Sequence, residues 1–365
     1  CHLVLCGANA NGHYWRQFLA GEFEKRKLLV LDAATGEEKW SKNANYMNRP
    51  AVIGDDVYAE PWAFKLATGE TKKRPHPITG EDSDWRFSRP GHHCGVITAT
   101  PNMMFFRSGF IGYYDLYNDS GTKHFAGQRL GCWVNAIPGN GLVMIPEASA
   151  GCVCQFSIAS TVVLEPKSKS SSWGIFSAVG SATPVQRLGI NFGAPGDHRD
   201  DGKKEWFGFP RPSTRGRLEY TFDIKPKFAE GGGWFSRNQH NANYRACEQP
   251  WLYASGARGL SRFEAKLLSD KDSPADYRVL LHFVGATSEE LAKVKAKLNG
   301  QDAVGQSADN NAGTVNGASP ASIQYRVNVK ADLKVELDYS ALQELPQLSG
   351  VEIIRDGVQP AQETN

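Results

Sequence analysis

Phe87-Ser88-Arg89-Pro90-Gly91-His92-His93-Cys94-Gly95 opens the stretch, closing at Pro166, that decides the fold of this chain. It continues through Gly112-Tyr113-Tyr114-Asp115-Leu116 and Leu130-Gly131-Cys132-Trp133-Val134-Asn135 to Ile145-Pro146-Glu147-Ala148-Ser149-Ala150-Gly151-Cys152-Val153-Cys154. Short β-prone runs alternate here with glycine, and such runs read as strands joined by tight turns. Four of the seven cysteines lie in this stretch, so its strands are also where covalent staples are to be sought.

Working outward, the same grammar recurs. Leu28-Leu29-Val30-Leu31-Asp32-Ala33-Ala34-Thr35-Gly36-Glu37-Glu38-Lys39-Trp40 is an apolar strand, a D-x-x-T-G turn and the start of a second strand. Aspartate can cap such a turn with its side chain while glycine takes the positive-φ position. Ala63-Phe64-Lys65-Leu66-Ala67-Thr68-Gly69 and Tyr114-Asp115-Leu116-Tyr117-Asn118-Asp119-Ser120-Gly121 follow the same pattern, with glycines at 36, 69 and 121. Intervals of this size, with one hairpin-rich unit each, are the signature of propeller blades. The longer second interval predicts that Lys72 to Trp85 is an inserted surface loop. A fourth unit runs from Cys132 to Pro166 around Gly139-Asn140-Gly141.

These residues closely resemble the last blades of the quinoprotein-like (PQQ-like) β-propellers of large secreted bacterial proteins, over roughly residues 3 to 166. The resemblance implies an all-β fold beginning with a partial β-propeller, about four blades' worth of hairpins, in residues 1–166. The strand Cys1-His2-Leu3-Val4-Leu5-Cys6 starts without a polar lead-in. We therefore expect an upstream propeller segment or a second chain to complete the ring against Leu3 to Cys6. From Lys167 to Ser172 the composition collapses to lysine and serine, and residues 167–185 are assigned as a linker.

Past the linker stand Leu188-Gly189-Ile190-Asn191-Phe192-Gly193, Trp251-Leu252-Tyr253-Ala254-Ser255-Gly256-Ala257-Arg258-Gly259, Tyr277-Arg278-Val279-Leu280-Leu281-His282-Phe283 and Leu348-Ser349-Gly350-Val351-Glu352-Ile353-Ile354. Their order resembles the malectin-like carbohydrate-binding β-sandwich (jelly roll), assigned to residues 186–365. Thr287 to Gly300 carries helical signals, a capping box and a glycine stop. The resemblance places a strand at 294–299, which we adopt with a helical turn before it, and Asp302 to Pro320 reads as a long loop.

The chain has 41 basic and 39 acidic residues among 365, a formal charge of +2. Nothing in that balance argues for nucleic acid or an anionic membrane. No apolar run approaches the length of a membrane span, and the N-terminus shows no charged n-region followed by an apolar core, so an export signal is expected upstream of Cys1. The resemblance implies a secreted or periplasmic location.

Cys1 and Cys6 are five apart on one strand and point to opposite faces, too far apart to bridge. Cys94, Cys132, Cys152 and Cys154 are candidates for at least one structural disulfide, since Cys132 and Cys152 or Cys154 flank one hairpin. Buried thiols are one alternative, and metal ligation by His92, His93, Cys94 and Cys154 another. His92-His93 suits acid–base chemistry or a strand-entry loop with hydrogen-bonding imidazoles. No G-x-S-x-G, phosphate-cradling loop or H-E-x-x-H occurs.

A quinoprotein dehydrogenase carries adjacent cysteines, a tryptophan floor and a calcium shell. This sequence has no Cys-Cys pair, and Trp40, Trp62 and Trp133 read as blade-packing residues. We therefore assign no catalytic residue, no metal and no cofactor to this chain. PQQ belongs only to the alternative, a quinoprotein-type oxidoreductase whose catalytic residues lie upstream. The favoured function is a non-catalytic extracellular or periplasmic scaffold or carbohydrate-binding protein. Trp206, Phe207, Phe209, Trp234, Phe235, Tyr244, Trp251 and Tyr253 stand among polar residues. Of these, Trp206, Phe207, Trp234 and Tyr244 are assigned to sugar stacking, because aromatic faces pack on sugar rings.

Overall fold

The computed structural model describes residues 1–7, 26–147, 160–167, 173–211, 224–237, 243–308 and 313–357, apart from positions 45, 93, 126, 246 and 248. Among these residues the fold is all-β, and its one α-helix is the turn Ser288–Leu291. No described helix is long and apolar enough to cross a membrane. The chain divides into two compact units, the first chiefly Cys1–Arg74 and Asp82–Val179, the second Pro75–Glu81, Gly180–Ser213 and Tyr220–Asn365.

The first unit is a series of small antiparallel sheets. Strands β1 (His2–Cys6), β2 (Lys27–Asp32) and β3 (Glu38–Asn43) form one sheet, and β4 (Ala51–Ile53), β5 (Asp56–Ala59) and β6 (Trp62–Lys65) the next. β7 (Lys73–Pro75) pairs with β8 (Asp82–Asp84). A five-stranded sheet contains β9 (Thr98–Ala99), β10 (Met103–Ser108), β11 (Phe110–Asp115), β12 (Thr122–Phe125) and, at its far edge, β16 (Gly174–Ile175). The last sheet is β13 (Ile137–Gly139), β14 (Leu142–Ile145) and β15 (Val162–Leu164).

Each repeated turn sits in its own sheet, and the chemistry is that of the sequence pattern. Asp32 Oδ1 accepts from the Ala34 and Thr35 amides at 2.9 and 3.3 Å, while Gly36, at φ 77°, donates to the Asp32 carbonyl. Asp115 repeats the cap on Tyr117 and Asn118, both at 3.0 Å. There the positive-φ residue is Asp119 (φ 49°), whose carboxylate also accepts from Arg74 Nη1 and Trp85 Nε1, each at 2.9 Å, and from the Tyr114 hydroxyl. Trp40, 9% exposed, links one repeat to the next by donating to Leu66 O at 2.8 Å and covering Gly69, where a Cβ would stand 2.7 Å from its ring.

Strand alternation fills the space between sheets. Val57 and Ala59 of β5 join a cluster with Leu28, Val30 and Trp40, whereas Tyr58 between them joins one with Trp85, Phe87, Met104, Phe106 and Tyr114. Phe105, between Met104 and Phe106, turns the other way to meet Leu130, Ala136 and Ile145. Two expectations need correction here. Lys72 to Trp85 is not an exposed loop: it forms the β7–β8 ladder, with Arg74, His76, Ile78 and Trp85 at 7, 3, 1 and 2% exposure. Its tip belongs to the second unit, where Ile78 O accepts from the Gln186 and Arg187 amides at 2.7 and 3.1 Å. Trp133 is 42% exposed at φ 64°, so it packs no blade.

The second unit has a twelve-stranded sheet folded into two leaves. One leaf runs through β18 (His198–Arg199), β19 (Glu205–Phe209), β17 (Arg187–Phe192), β30 (Gln347–Arg355), β23 (Ala275–Val284), β28 (Pro320–Val329) and β26 (Gln306–Ala308). The other runs through β20 (Lys227–Ser236), β22 (Ser255–Lys266), β29 (Asp332–Asp338), β24 (Lys295–Leu298) and β25 (Gln301–Ala303). They join where β22 meets β30, Ala257 opposite Leu348 and Arg258 opposite Gln347. Pairing is antiparallel except between β17 and β19. Leu188, Ile190 and Phe192 alternate into the core with Tyr277, Val279 and Leu281, and Phe192 meets Phe263 of the other leaf at 6.0 Å between ring centroids. The Thr287 capping box starts a single helical turn and the chain then enters β24, as the sandwich pattern predicted. Among the described residues after Asp302, β26 and β27 (Thr314–Val315) stand where a loop was expected, the latter pairing with β21 (Tyr244–Arg245).

Candidate functional site

The residues assigned to sugar stacking are not brought together. Trp206 and Phe207 lie on β19 and are 2% and 1% exposed, so neither ring has a face for a ligand, and both assignments are corrected to core. The Asp200 to Lys204 turn before them looked like a loop that would expose its neighbours. Instead, Trp206 folds back so that its Nε1 donates to Asp200 Oδ2 at 3.2 Å. Its ring meets Trp251 and His282, both at 5.6 Å, and lies under the Arg187 guanidinium at 5.2 Å. Gly189 makes room for it, since a Cβ there would stand 3.0 Å from the indole. The Tyr244 backbone pairs with Val315 on a separate two-stranded ladder.

Trp234 is different. It is 38% exposed on the edge strand β20 and lines an open cleft of about 260 Å³ together with Gly233, Phe235, Arg237, Arg258 and Gln347. Gly231-Gly232-Gly233 creates the geometry. The β20–β22 register shifts between Phe228 and Gly233, Gly231 sits at φ 76°, and a Cβ on Gly232 would stand 2.7 Å from Arg258 O. Only glycine tolerates that backbone and that approach. Beyond the bulge, Gly233 stands opposite Arg258, which stands opposite Gln347, so these residues and Phe235 share one face of the ladder. Trp234 shares the other face with Ala257 and Leu348, and its ring rests on Phe228, Phe209 and Phe192 at 5.1, 5.9 and 6.1 Å.

The cleft's polar groups are already oriented. Arg237 stacks its guanidinium 4.7 Å from the Phe235 centroid and donates from Nη2 to Gln347 Oε1 at 2.7 Å. Arg258 Nη2 donates to Gly231 O at 3.0 Å. Phe235 in turn lies on Gly256, where a Cβ would fall 2.6 Å from its ring. The lining contains no carboxylate, histidine, thiol or hydroxyl. It offers hydrogen-bond donors, one amide and the Phe235 ring, which is equipment for holding a ligand. Of this set the sequence reading had selected Trp234 alone. Phe235 was visible in the aromatic cluster, but Arg237, Arg258 and Gln347 carry no local signal.

In the first unit His92 Nδ1 lies 3.2 Å from Arg107 Nη2, and Arg107 Nη1 donates to Cys132 Sγ at 3.2 Å. Cys94 Sγ stands 3.7 Å from His92 Nε2. Burial, then the Arg107 and Arg129 guanidiniums, pushes the His92 pKa down and favours neutral imidazole. His93, Cys152 and Cys154 lie outside the described residues. No group of three or more metal-ligating side chains occurs among the described residues.

No protein-family model matches the chain, and no curated protein matches its sequence. Partial likenesses exist among solved structures. One is a crystal structure of the plant peptide RALF23 in complex with FER and LLG2, at 20% identity over 46% of this chain, TM-score 0.30. Another is the ANXUR2 extracellular domain from Arabidopsis thaliana, at 15% identity over 46% of this chain, TM-score 0.30. This chain covers 48% of the length of each of those two. BamB from Moraxella catarrhalis overlaps 38% of this chain and 57% of its own length at 14% identity, TM-score 0.18. Overlaps of this size carry no argument for this chain.

Proposed function

We propose that this chain is a non-catalytic extracellular or periplasmic scaffold that binds carbohydrate through its second unit. The observation that supports this best is the β20 cleft, where the Phe235 ring, two guanidiniums and an amide share one face with no acid–base group, and the partly exposed Trp234 stands on the strand's other face. The sheets of the first unit serve as the scaffold, open to further β-structure from another polypeptide segment. A disulfide within the set Cys94, Cys132, Cys152 and Cys154 belongs to the same reading, and non-reducing peptide mapping tests it. The reading assigns no cofactor to this chain.

The test is glycan-array screening of the full chain, followed by titration of any hit against Trp234→Ala and Arg258→Ala. Loss of about fivefold or more in both variants, with folding intact, is expected. Affinity unchanged in both variants would remove the cleft from the proposal, and no binding to any glycan would leave the scaffold role alone.

A further inference from the structure

Ion pairing separates the arginines of the second unit. Arg187, Arg211, Arg262, Arg278 and Arg326 each meet a carboxylate, at 2.5 to 3.4 Å. Arg237 and Arg258, the two that line the cleft beside β20, meet none among the described residues. Each donates instead from Nη2 to a neutral oxygen, Arg237 to Gln347 Oε1 at 2.7 Å and Arg258 to Gly231 O at 3.0 Å. A neutral oxygen satisfies one N–H and leaves the positive charge whole. Strand geometry brings the two charges into one place. Arg237 lies two positions after Phe235 and so falls on the same side of the chain, and Gln347, which Arg237 holds, stands opposite Arg258 where β22 meets β30.

Two guanidiniums in one cleft repel each other unless an anion stands with them, and arginine cannot relieve the repulsion by losing its proton. The balance of donors and acceptors points the same way. A guanidinium carries five N–H donors and no acceptor, and the acceptors nearest these two, Gln347 Oε1 and Gly231 O, are already engaged by them. A neutral sugar presents hydroxyls, which need acceptors as well as donors, whereas an ionised carboxylate only accepts and suits the guanidinium fork. The Phe235 ring, 4.7 Å from the Arg237 guanidinium, holds that fork in place before any ligand arrives. We propose that the ligand of this cleft is an acidic glycan, whose carboxylate or sulfate oxygens are held by Arg237 and Arg258. This rests on the carbohydrate reading of the same cleft and adds the charge of the sugar to it.

The experiment titrates the full chain with oligomers of mannuronate, guluronate, glucuronate and galacturonate, each beside its carboxyl-reduced neutral form. Dextran sulfate beside dextran supplies the sulfate arm, and polyglutamate serves as a polyanion that is not a sugar. At least one acidic sugar should bind about tenfold or more tightly than its neutral counterpart, and less tightly as salt is raised. Arg258→Gln keeps an amide donor and removes the charge, and it should weaken that binding about tenfold, with Arg237→Gln as the second variant should the first fail to fold. A uronate hit assigns the oxyanion as carboxylate, and a hit on dextran sulfate alone assigns it as sulfate; either supports the proposal. Neutral forms bound as tightly as the acidic ones, and weakened by both variants, would keep the carbohydrate reading and overturn the acidic one. Acidic binding that neither variant changes overturns it as well, as does polyglutamate bound as tightly as the best sugar. Binding to no glycan overturns this proposal and the carbohydrate reading together.

Discussion

The small sheets of the first unit and the two long leaves of the second bury their interiors with different side chains. In the first unit Arg74, Arg89, Arg107 and Arg129 are all under 8% exposed, whereas no described arginine of the second unit is fully buried. Strand length accounts for much of this. Most strands of the first unit run three to six residues, so carbonyls at sheet ends and turns fall in the interior and need donors. An arginine reaches them: Arg74 donates to Arg86 O at 2.8 Å and to Ser177 O while pairing with Asp119. Strands β23 and β28 are ten residues each and satisfy one another along their whole length, leaving aliphatic side chains to fill the space between leaves. Buried arginine anchors thus add to the apolar clusters of the first unit, whereas long, fully paired strands carry most of the second.

The largest effect should come from breaking an anchor. Arg89 donates to Glu60 Oε2 from Nε at 2.9 Å and also from Nη2, with both side chains essentially inaccessible, and Asn48 Nδ2 donates to the same oxygen at 3.0 Å. Arg89→Ala leaves a buried carboxylate without its cation and should cost about 3–5 kcal/mol in denaturant unfolding. Replacing both partners, Glu60→Met with Arg89→Met, should return much of that loss. A double variant as unstable as the single one would break the distinction drawn between the units.

A titration probes the second unit. Burial pushes the His282 pKa down to about 4, with Glu352 opposing and Arg187 assisting, while Nδ1 lies 2.9 Å from Ser322 Oγ. The unfolded chain protonates near 6.5 and the folded one near 4, so between those values the unfolded state binds more protons. Stability from this group is therefore present above about pH 6.5 and lost as pH falls toward 4, by about 3 kcal/mol. Burial lowers His124 in the first unit as well, so the informative quantity is the difference in pH slope between wild type and His282→Gln. Equal slopes would remove His282 as a source of acid sensitivity.

These contrasts also show where the sequence was legible. The D-x-x-T-G turn at Asp32 and its two variants could be read because turn and positive-φ residue (Gly36, Gly69 and Asp119) lie within five positions, and each appears in its own sheet. The helical turn after Thr287 was readable for the same reason, whereas the strand that follows came from the sandwich resemblance against a local helical pattern. Asp119 was passed over because what it holds, Arg74, Trp85 and Tyr114, comes from three other places in the chain. The cleft was half legible. Trp234 and its three glycines are adjacent, but Arg258 and Gln347 arrive through strand pairing, and the register that brings them depends on a bulge. Trp206 was misassigned because a turn signal before an aromatic does not say which way the ring folds.

A smaller effect tests how the cleft is built. Gly256→Ala would place a methyl group 2.6 Å from the Phe235 ring and 2.7 Å from Leu348 O, and a backbone oxygen cannot give way as a ring can. A cost of about 1–3 kcal/mol is expected, with Phe235 displaced from under Arg237. A crystal structure of the variant with Phe235 unmoved would show that the glycine does not set the ring's place.

The smallest effect is the sharpest test of the site, because it asks two tryptophans of one unit to behave differently. Trp206 is a core ring, and truncating it to alanine should cost about 3–5 kcal/mol of stability. Trp234 already exposes more than a third of its surface and rests on its phenylalanine neighbours from one side. Trp234→Ala should therefore cost only about 1 kcal/mol of stability, and a similar amount of glycan affinity if the indole stacks on a sugar. Measured at a temperature where both variants are folded, Trp206→Ala should bind as wild type does and Trp234→Ala about fivefold more weakly. The reverse pattern would move the site to the far face of the sandwich, where Trp206, Trp251 and His282 meet.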